Sequence, residues 1–201
     1  MSIQSDVKVG FIADENVADP DRLVVAARPN TSATMAETTF LGGGARNVTV
    51  TTTGTSDNAK TCTITGTDVF GNAITEVIVS TGSAEAVAGA KLFLTVSGVE
   101  CSAQYAANIT VGSGSLCASA VAGGNRTRMK GYSIVSAGTA GLVDFYNGTP
   151  EDGTIIFKAQ TLGTDNTTID NTIPDEGILF DSGLAISYTV ATVVLANIFF
   201  A

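Results

Sequence analysis

The chain has 201 residues, enough for one large all-β domain or two of roughly a hundred residues each. Apolar residues make up 44% and charged residues only 14%, which excludes a disordered chain and leaves Thr, Ser, Gly and Asn to carry the polar surface. A net charge of −9 argues against nucleic acid or an anionic membrane as partner, because both bind through positive charge.

Residues 1–40 read as an N-terminal arm and loop. The opening MSIQSDVKVGFIADENV has no basic region followed by a long apolar one, so no secretory signal is expected. The six Asn-x-Ser/Thr sequons, at Asn30, Asn47, Asn108, Asn125, Asn147 and Asn166, then follow from an Asn- and Thr-rich composition. Val7 to Ala13 is a short extended piece. An acidic loop from Asp14 to Asp21 follows, whose carboxylates match no calcium-loop spacing and which Pro20 stiffens. Arg22 to Arg28 is a short strand ended by Pro29. Asn30 to Glu37 is polar and small, a long loop or an arm that orders against a neighbour.

Residues 41–117 read as a first β-sandwich domain. Arg46 to Thr53 alternates Val48 and Val50 with polar residues, and Gly54 to Ala59 turns the chain. Lys60 to Ser80 is a hairpin: Cys62 and Ile64 share one face of its first strand, and Ala73 to Val79 forms the second. Between them Asp68 can accept from amides ahead of it, while Gly71 and Asn72 tolerate positive φ, so these three are the structural turn residues. A metal-ligand reading of Asp68 lacks any calcium-loop spacing. Ser83 to Gly89 reads as a small-residue link. Lys91 to Val96 is a strand with Leu92, Leu94 and Val96 together, and Val99 to Ser102 and Asn108 to Val111 are shorter runs.

The domain boundary is expected in Gly112 to Asn125, a stretch of small residues almost without charge. Arg126, Arg128 and Lys130 follow on alternate positions, sharing one face of an extended segment. They suit either contact with an acidic partner or the solvated start of a strand.

Residues 126–201 read as a second β-sandwich domain. Strands are expected at Tyr132 to Val135, Leu142 to Tyr146 and Thr154 to Lys158, then a polar loop from Leu162 to Thr172. Ile173 to Phe180 leads into Gly183 to Tyr188, and Thr192 to Phe200 closes the sheet. The C-terminal run from Leu184 contains Ser187, Thr189, Thr192 and Asn197, which favours strands turning near Val190-Ala191 over a membrane span. The fold class is therefore all-β, two small antiparallel β-sandwich or Ig-like domains in tandem.

Reaction chemistry is not expected. Without histidine, no Ser-His-Asp or Cys-His arrangement can be built. No nucleophile elbow or phosphate loop occurs, and Gly42-Gly43-Gly44 precedes a strand rather than a helix. Asp68, Glu76, Glu100 and Asp144 are the carboxylates on or near strands available for glycoside hydrolysis, but the chain has no Trp and only four Tyr to stack on sugars. Cys62, Cys101 and Cys117 show no CxxC spacing, so no zinc site is expected. Cys62 reads as a small buried hydrophobe, and a Cys101–Cys117 bridge is one arrangement of the others. No catalytic residue, cofactor or metal site is assigned.

Two segments carry a resemblance. Arg46 to Gly112 contains Val48-Thr49-Val50, Thr63-Ile64-Thr65-Gly66-Thr67-Asp68, Gly71-Asn72, Thr75-Glu76, Phe93 to Val99 and Val111-Gly112. It resembles a module of tailed-bacteriophage virion proteins. Gly138-Thr139-Ala140-Gly141 to Phe145, then Ile173-Pro174, Gly177-Ile178, Phe180 and Gly183-Leu184, is similar to the small β-sandwich found beside that module. Bacterial Ig-like repeats use the same Thr-Asp-x-x-Gly-Asn turn. The resemblance implies a virion structural protein and carries over no catalytic residue. A capsid decoration (cement) protein is the first reading, a neck or tail ring or adaptor the alternative, and an adhesin or carbohydrate-binding module the third. The implied partners are the major capsid protein or other virion proteins. Exposed sheet edges favour a homo-oligomer, a trimer first, anchored through residues 1–40.

Overall fold

The computed structural model describes residues 7–13, 17–82 and 84–201. Residues 1–6 of the expected arm, Asp14-Glu15-Asn16 of the expected acidic loop, and Ser83 lie outside the described residues. The protein is all-β: among the described residues the helical content is a single 3₁₀ turn, Val190–Thr192. The chain divides into two compact units, Asn16–Cys117 and Met1–Glu15 with Ala118–Ala201.

Strand β1 (Lys8–Ala13) belongs to the second unit and β2 (Val24–Ala27) to the first. The first unit continues with β3 (Ala45–Thr52), β4 (Asn58–Thr67), β5 (Ala73–Thr81), β6 (Ala86–Phe93), β7 (Thr95–Cys101) and the start of β8 (Ile109–Ala122). Strands β4 and β5 form the hairpin, in register from Thr61↔Val79 to Thr67↔Ala73, and β7 pairs antiparallel with the other side of β4. Strand β3 lies between β6 and β8, and β2 adds to β8. Alternation along each strand sends one set of side chains inward. Val48, Val50, Phe93, Ile109 and Val111 thereby meet Cys62, Ile64, Ile78, Val96 and Val99 in one apolar core.

The expected arm is largely structural. Leu23 and Val24 are fully buried, Phe40 nearly so, and the Leu23 amide donates to the Val111 carbonyl at 2.9 Å. Residues 31–39 run beside β7. The Ala33 amide donates to Val99 and the Val96 amide to Thr38, both at 2.9 Å, with bridges Ser32↔Glu100 and Thr39↔Thr95. A strand edge leaves backbone groups that need partners, and here the chain's own segment supplies them. Residues 31–39 thus pair within their own chain.

The expected flexible boundary is also strand, since β8 covers Ile109–Ala122 and the division between the units falls inside it. Its small residues reflect close approach. A Cβ at Gly112 would stand 2.0 Å from the Asp19 carbonyl oxygen and 2.4 Å from the Pro20 carbonyl carbon. Part of the expected 83–89 link likewise pairs as the start of β6, where the Asn47 side-chain amide donates to the Gly89 carbonyl at 3.0 Å.

The second unit adds β9 (Thr127–Ser136), β10 (Leu142–Asn147), β11 (Thr154–Gln160), β12 (Thr167–Thr172), β13 (Ile178–Phe180), β14 (Leu184–Thr189) and β15 (Val193–Phe200). One sheet has the order β1-β15-β9-β12, with β13 also on β9, while β10 lies between β11 and β14. Met129, Ile134, Phe145, Phe180, Leu184, Ile186 and Ile198 are fully buried. The rings of Tyr132, Phe145 and Phe157 stand 5.3–5.8 Å apart and tilted, the favourable geometry for aromatic groups.

Two features here depart from the reading of the sequence. Thr167–Thr172, expected as loop, is an edge strand on β9 whose mostly exposed polar residues conceal the pattern. Strand β1 pairs with β15 from Lys8↔Phe200 to Ala13↔Leu195, so the second unit is completed by the opposite end of the chain and the layout is not a simple tandem. Among the described residues no helix is long and apolar enough to cross a membrane.

Candidate functional site

The hairpin turn is organised by one carboxylate. Oδ1 of Asp68 accepts from the Phe70 amide at 2.8 Å and the Asn72 amide at 2.9 Å, and Oδ2 accepts from the Asn72 side-chain amide at 2.9 Å. The Asp68 amide donates to the Asn72 carbonyl at 2.9 Å, and Gly71 takes φ +85°, where a side chain is strained. Asp68 is only 3% exposed, so its oxygens face the turn's own donors. That is a clamp geometry and not an open cation cradle. Among the described residues no group of three or more His, Cys, Asp or Glu could hold a metal ion.

The remaining sequence-level carboxylates are dispersed. Glu76 accepts from the Ala90 amide at 2.7 Å and the Lys91 amide at 3.3 Å, and Asp144 pairs with Lys158 at 3.1 Å. Glu100 is exposed on β7.

The basic trio lies at the start of β9, and its own unit engages each member. Arg126 reaches Asp181 at 3.4 Å and Arg128 reaches Glu176 at 3.1 Å, while Lys130 donates to the Asp175 carbonyl at 3.2 Å. Ion pairs this exposed contribute about 0–1 kcal/mol each. Their proximity joins β9 to the 175–181 segment and offsets the local positive charge.

The sequence reading passed over a buried polar cluster in the first unit. Asp57, fully buried, accepts from Lys60 at 2.7 Å and from the amides of Ala106 at 2.6 Å and Ala107 at 3.3 Å. Burial alone raises the Asp57 carboxyl, but the Lys60 and amide hydrogen bonds outweigh it and hold the group below its ordinary value. The Lys60 ammonium also stands 5.4 Å from the Tyr105 ring centroid. Beside it, Cys62 and Cys101 face each other across β4 and β7 with sulfurs 3.6 Å apart, and the Tyr105 hydroxyl lies 3.3 Å from Cys62 Sγ. Cys117 is separate, its thiol directed at the Ser115 carbonyl, so the cysteine facing Cys101 is Cys62 and not Cys117. Only the facing of β4 with β7 brings the pair together, and nothing in the 39-residue separation announces it.

Each unit also exposes apolar side chains on strand surfaces. In the first unit Val77 and Val79, 55% and 50% exposed, project from β5 opposite Thr63 and Thr61 of β4. In the second, Val9 and Phe11 project from edge strand β1, Phe11 being 68% exposed, and Ile155 and Ile156 from β11. The signal in the sequence was the alternation in Glu76-Val77-Ile78-Val79, where the side chains flanking buried Ile78 must point outward.

The class is thus an all-β, β-sandwich-like protein. No protein-family model matches the chain, and no curated protein matches it significantly.

Proposed function

We propose that the protein is a structural component of a tailed-phage virion, specifically a capsid decoration protein that binds the major capsid protein and stiffens the shell. The observation that carries this reading is the outward display of valine, isoleucine and phenylalanine on strand surfaces of both units, in a chain with few charges. Such surfaces suit burial against a protein partner. The turn-and-strand resemblance to phage virion modules supports the same role. Arg126, Arg128 and Lys130 are engaged by their own unit, so the primary contact falls on the apolar surfaces and the trio contributes at most to a rim.

A homo-oligomer, a trimer on a capsid local three-fold axis, accounts for the edges at β1 and β12, because closed symmetry hides strand edges that otherwise template aggregation. The test adds purified protein to shells lacking it and measures both binding and shell melting. Burying a valine is worth about 1.5 kcal/mol or more, and 1.4 kcal/mol is tenfold in affinity. Val77→Lys with Val79→Lys is therefore expected to weaken shell binding by ~100-fold. Shells that neither bind the protein nor gain thermal resistance would refute the decoration role.

A further inference from the structure

We propose that Cys62 and Cys101 are a dithiol–disulfide couple, open in a reducing compartment and closed in an oxidising one, which staples β7 to β4 after the chain has folded.

The geometry is that of a cross-strand pair poised to bond. Cys62 and Cys101 are direct partners in an antiparallel ladder. The Ser102 amide donates to the Thr61 carbonyl at 2.9 Å, the bond that flanks a non-hydrogen-bonded pair. In such pairs the Cα atoms stand ~4.5 Å apart and the side chains lie closest, within the span a disulfide bridges. The sulfurs are already 3.6 Å apart, and both thiols are free. Closing to a bond of ~2.05 Å asks for side-chain rotation rather than strand movement.

The surroundings assign a role to each sulfur. Cys101 is the slightly accessible one at 8% exposure, while Cys62 is fully buried. A Cys62 thiolate would receive hydrogen bonds from Cys101 and Tyr105. The first of these, with the second, outweighs burial and holds the Cys62 thiol below its ordinary value, whereas the Cys101 thiol is pushed up by its hydrogen bond to Cys62 and by burial.

The co-reactant is a low-molecular-weight disulfide, RSSR. Cys101, the sulfur that RSSR can reach, loses its proton to solvent, and its thiolate attacks one sulfur of RSSR, forming a mixed disulfide and releasing RS⁻, which takes up that proton as RSH. Cys62 sulfur then attacks the Cys101 sulfur, the mixed bond breaks, and a second RSH leaves with the Cys62 proton. The protein thiols are oxidised, RSSR is reduced, and atoms balance.

The consequence for a particle assembled in a reducing cytoplasm and released into an oxidising medium is a covalent lock set after assembly. That consequence rests on the virion reading, but the thiol chemistry does not and is tested on the isolated full-length chain. The folded chain is equilibrated in graded mixtures of reduced and oxidised glutathione, with a parallel sample refolded in the same mixtures to separate slow access to buried sulfur from an unfavourable bond, and both are quenched, alkylated and digested. The expected result is a Cys62–Cys101 cross-linked peptide, with Cys117 alone alkylated in the most oxidising mixtures. The oxidised protein should melt higher than the reduced one, a difference that Cys117→Ala keeps and Cys101→Ser abolishes. Persistence of all three thiols in excess oxidised glutathione would overturn the proposal. So would bridges dominated by Cys117 or joining separate chains. Because wild-type thiols are counted directly, the test stands even if a variant fails to fold.

Discussion

Replacing Gly112 with alanine should destabilise the first unit far more than the same change at Gly98, a strand glycine with open space around it. The added Cβ would lie 2.0 Å from the Asp19 carbonyl oxygen, 2.4 Å from the Pro20 carbonyl carbon and 2.7 Å from the Asp21 nitrogen, where ordinary contact begins at 3.4 Å. All three atoms are backbone, so no rotamer change relieves the clash. The segment would have to move, although it is fastened by the Ser113 amide donating to the Asp19 carbonyl at 2.7 Å and the Asp19 amide donating to Ser113 Oγ at 2.9 Å. Overpacking costs about 1–3 kcal/mol, and each hydrogen bond lost adds about 1 kcal/mol, which places Gly112→Ala near ~3 kcal/mol. Gly98→Ala is the control, because nothing lies within 4 Å of its Cβ position and it too sits in a strand, β7. Urea unfolding followed by far-ultraviolet circular dichroism measures both. A Gly112 variant within ~0.5 kcal/mol of wild type, or no worse than the Gly98 variant, would refute the strand assignment over this stretch.

The other predictions follow the same physics. Gly71→Val forces a β-branched residue to φ +85° with open space around it, so the cost is backbone strain of about 1–3 kcal/mol, read as a lowered urea midpoint. Asp68→Ala strips the turn of three hydrogen bonds and should cost ~2 kcal/mol in the same assay. The lowered Asp57 carboxyl contributes stability that is complete above the ordinary value of 3.8 and is lost as pH falls through the lower folded value. Asp57→Asn should therefore be less stable at neutral pH by about 1–3 kcal/mol and show a flatter acid limb in a stability-versus-pH series. Arg126→Ala should change stability by less than ~0.5 kcal/mol, since its ion pair with Asp181 is about two-thirds exposed on both sides.

The hairpin was legible because two local signals agreed: Cys62 and Ile64 alternate with threonine, and Asp68, Gly71 and Asn72 supply what the reversal needs. What eluded the sequence was set by distant partners. Gly112 looks like linker until the Asp19–Asp21 backbone is laid against it. Leu23 and Val24 lie in the segment read as a short strand, but their complete burial depends on partners that the segment itself does not announce. Strand β1 finds its partner β15 at the far end of the chain, and Thr167–Thr172 is polar because its face is exposed at a sheet edge. The Cys62–Cys101 pairing has the same origin: long-range register brings the sulfurs together, and register is set by packing rather than by spacing. Turn chemistry is local and readable, whereas strand partnership is not.

The measurement that tests the central claim most directly is the number of copies of this chain in purified phage particles, by quantitative mass spectrometry against the major capsid protein. A decoration protein occupies every equivalent shell position, so the account predicts a fixed simple ratio to the capsid subunit, with copies in the hundreds. A count matching a single ring would contradict the decoration role and assign the chain to the neck or tail, and its absence from the particles would contradict a virion role altogether.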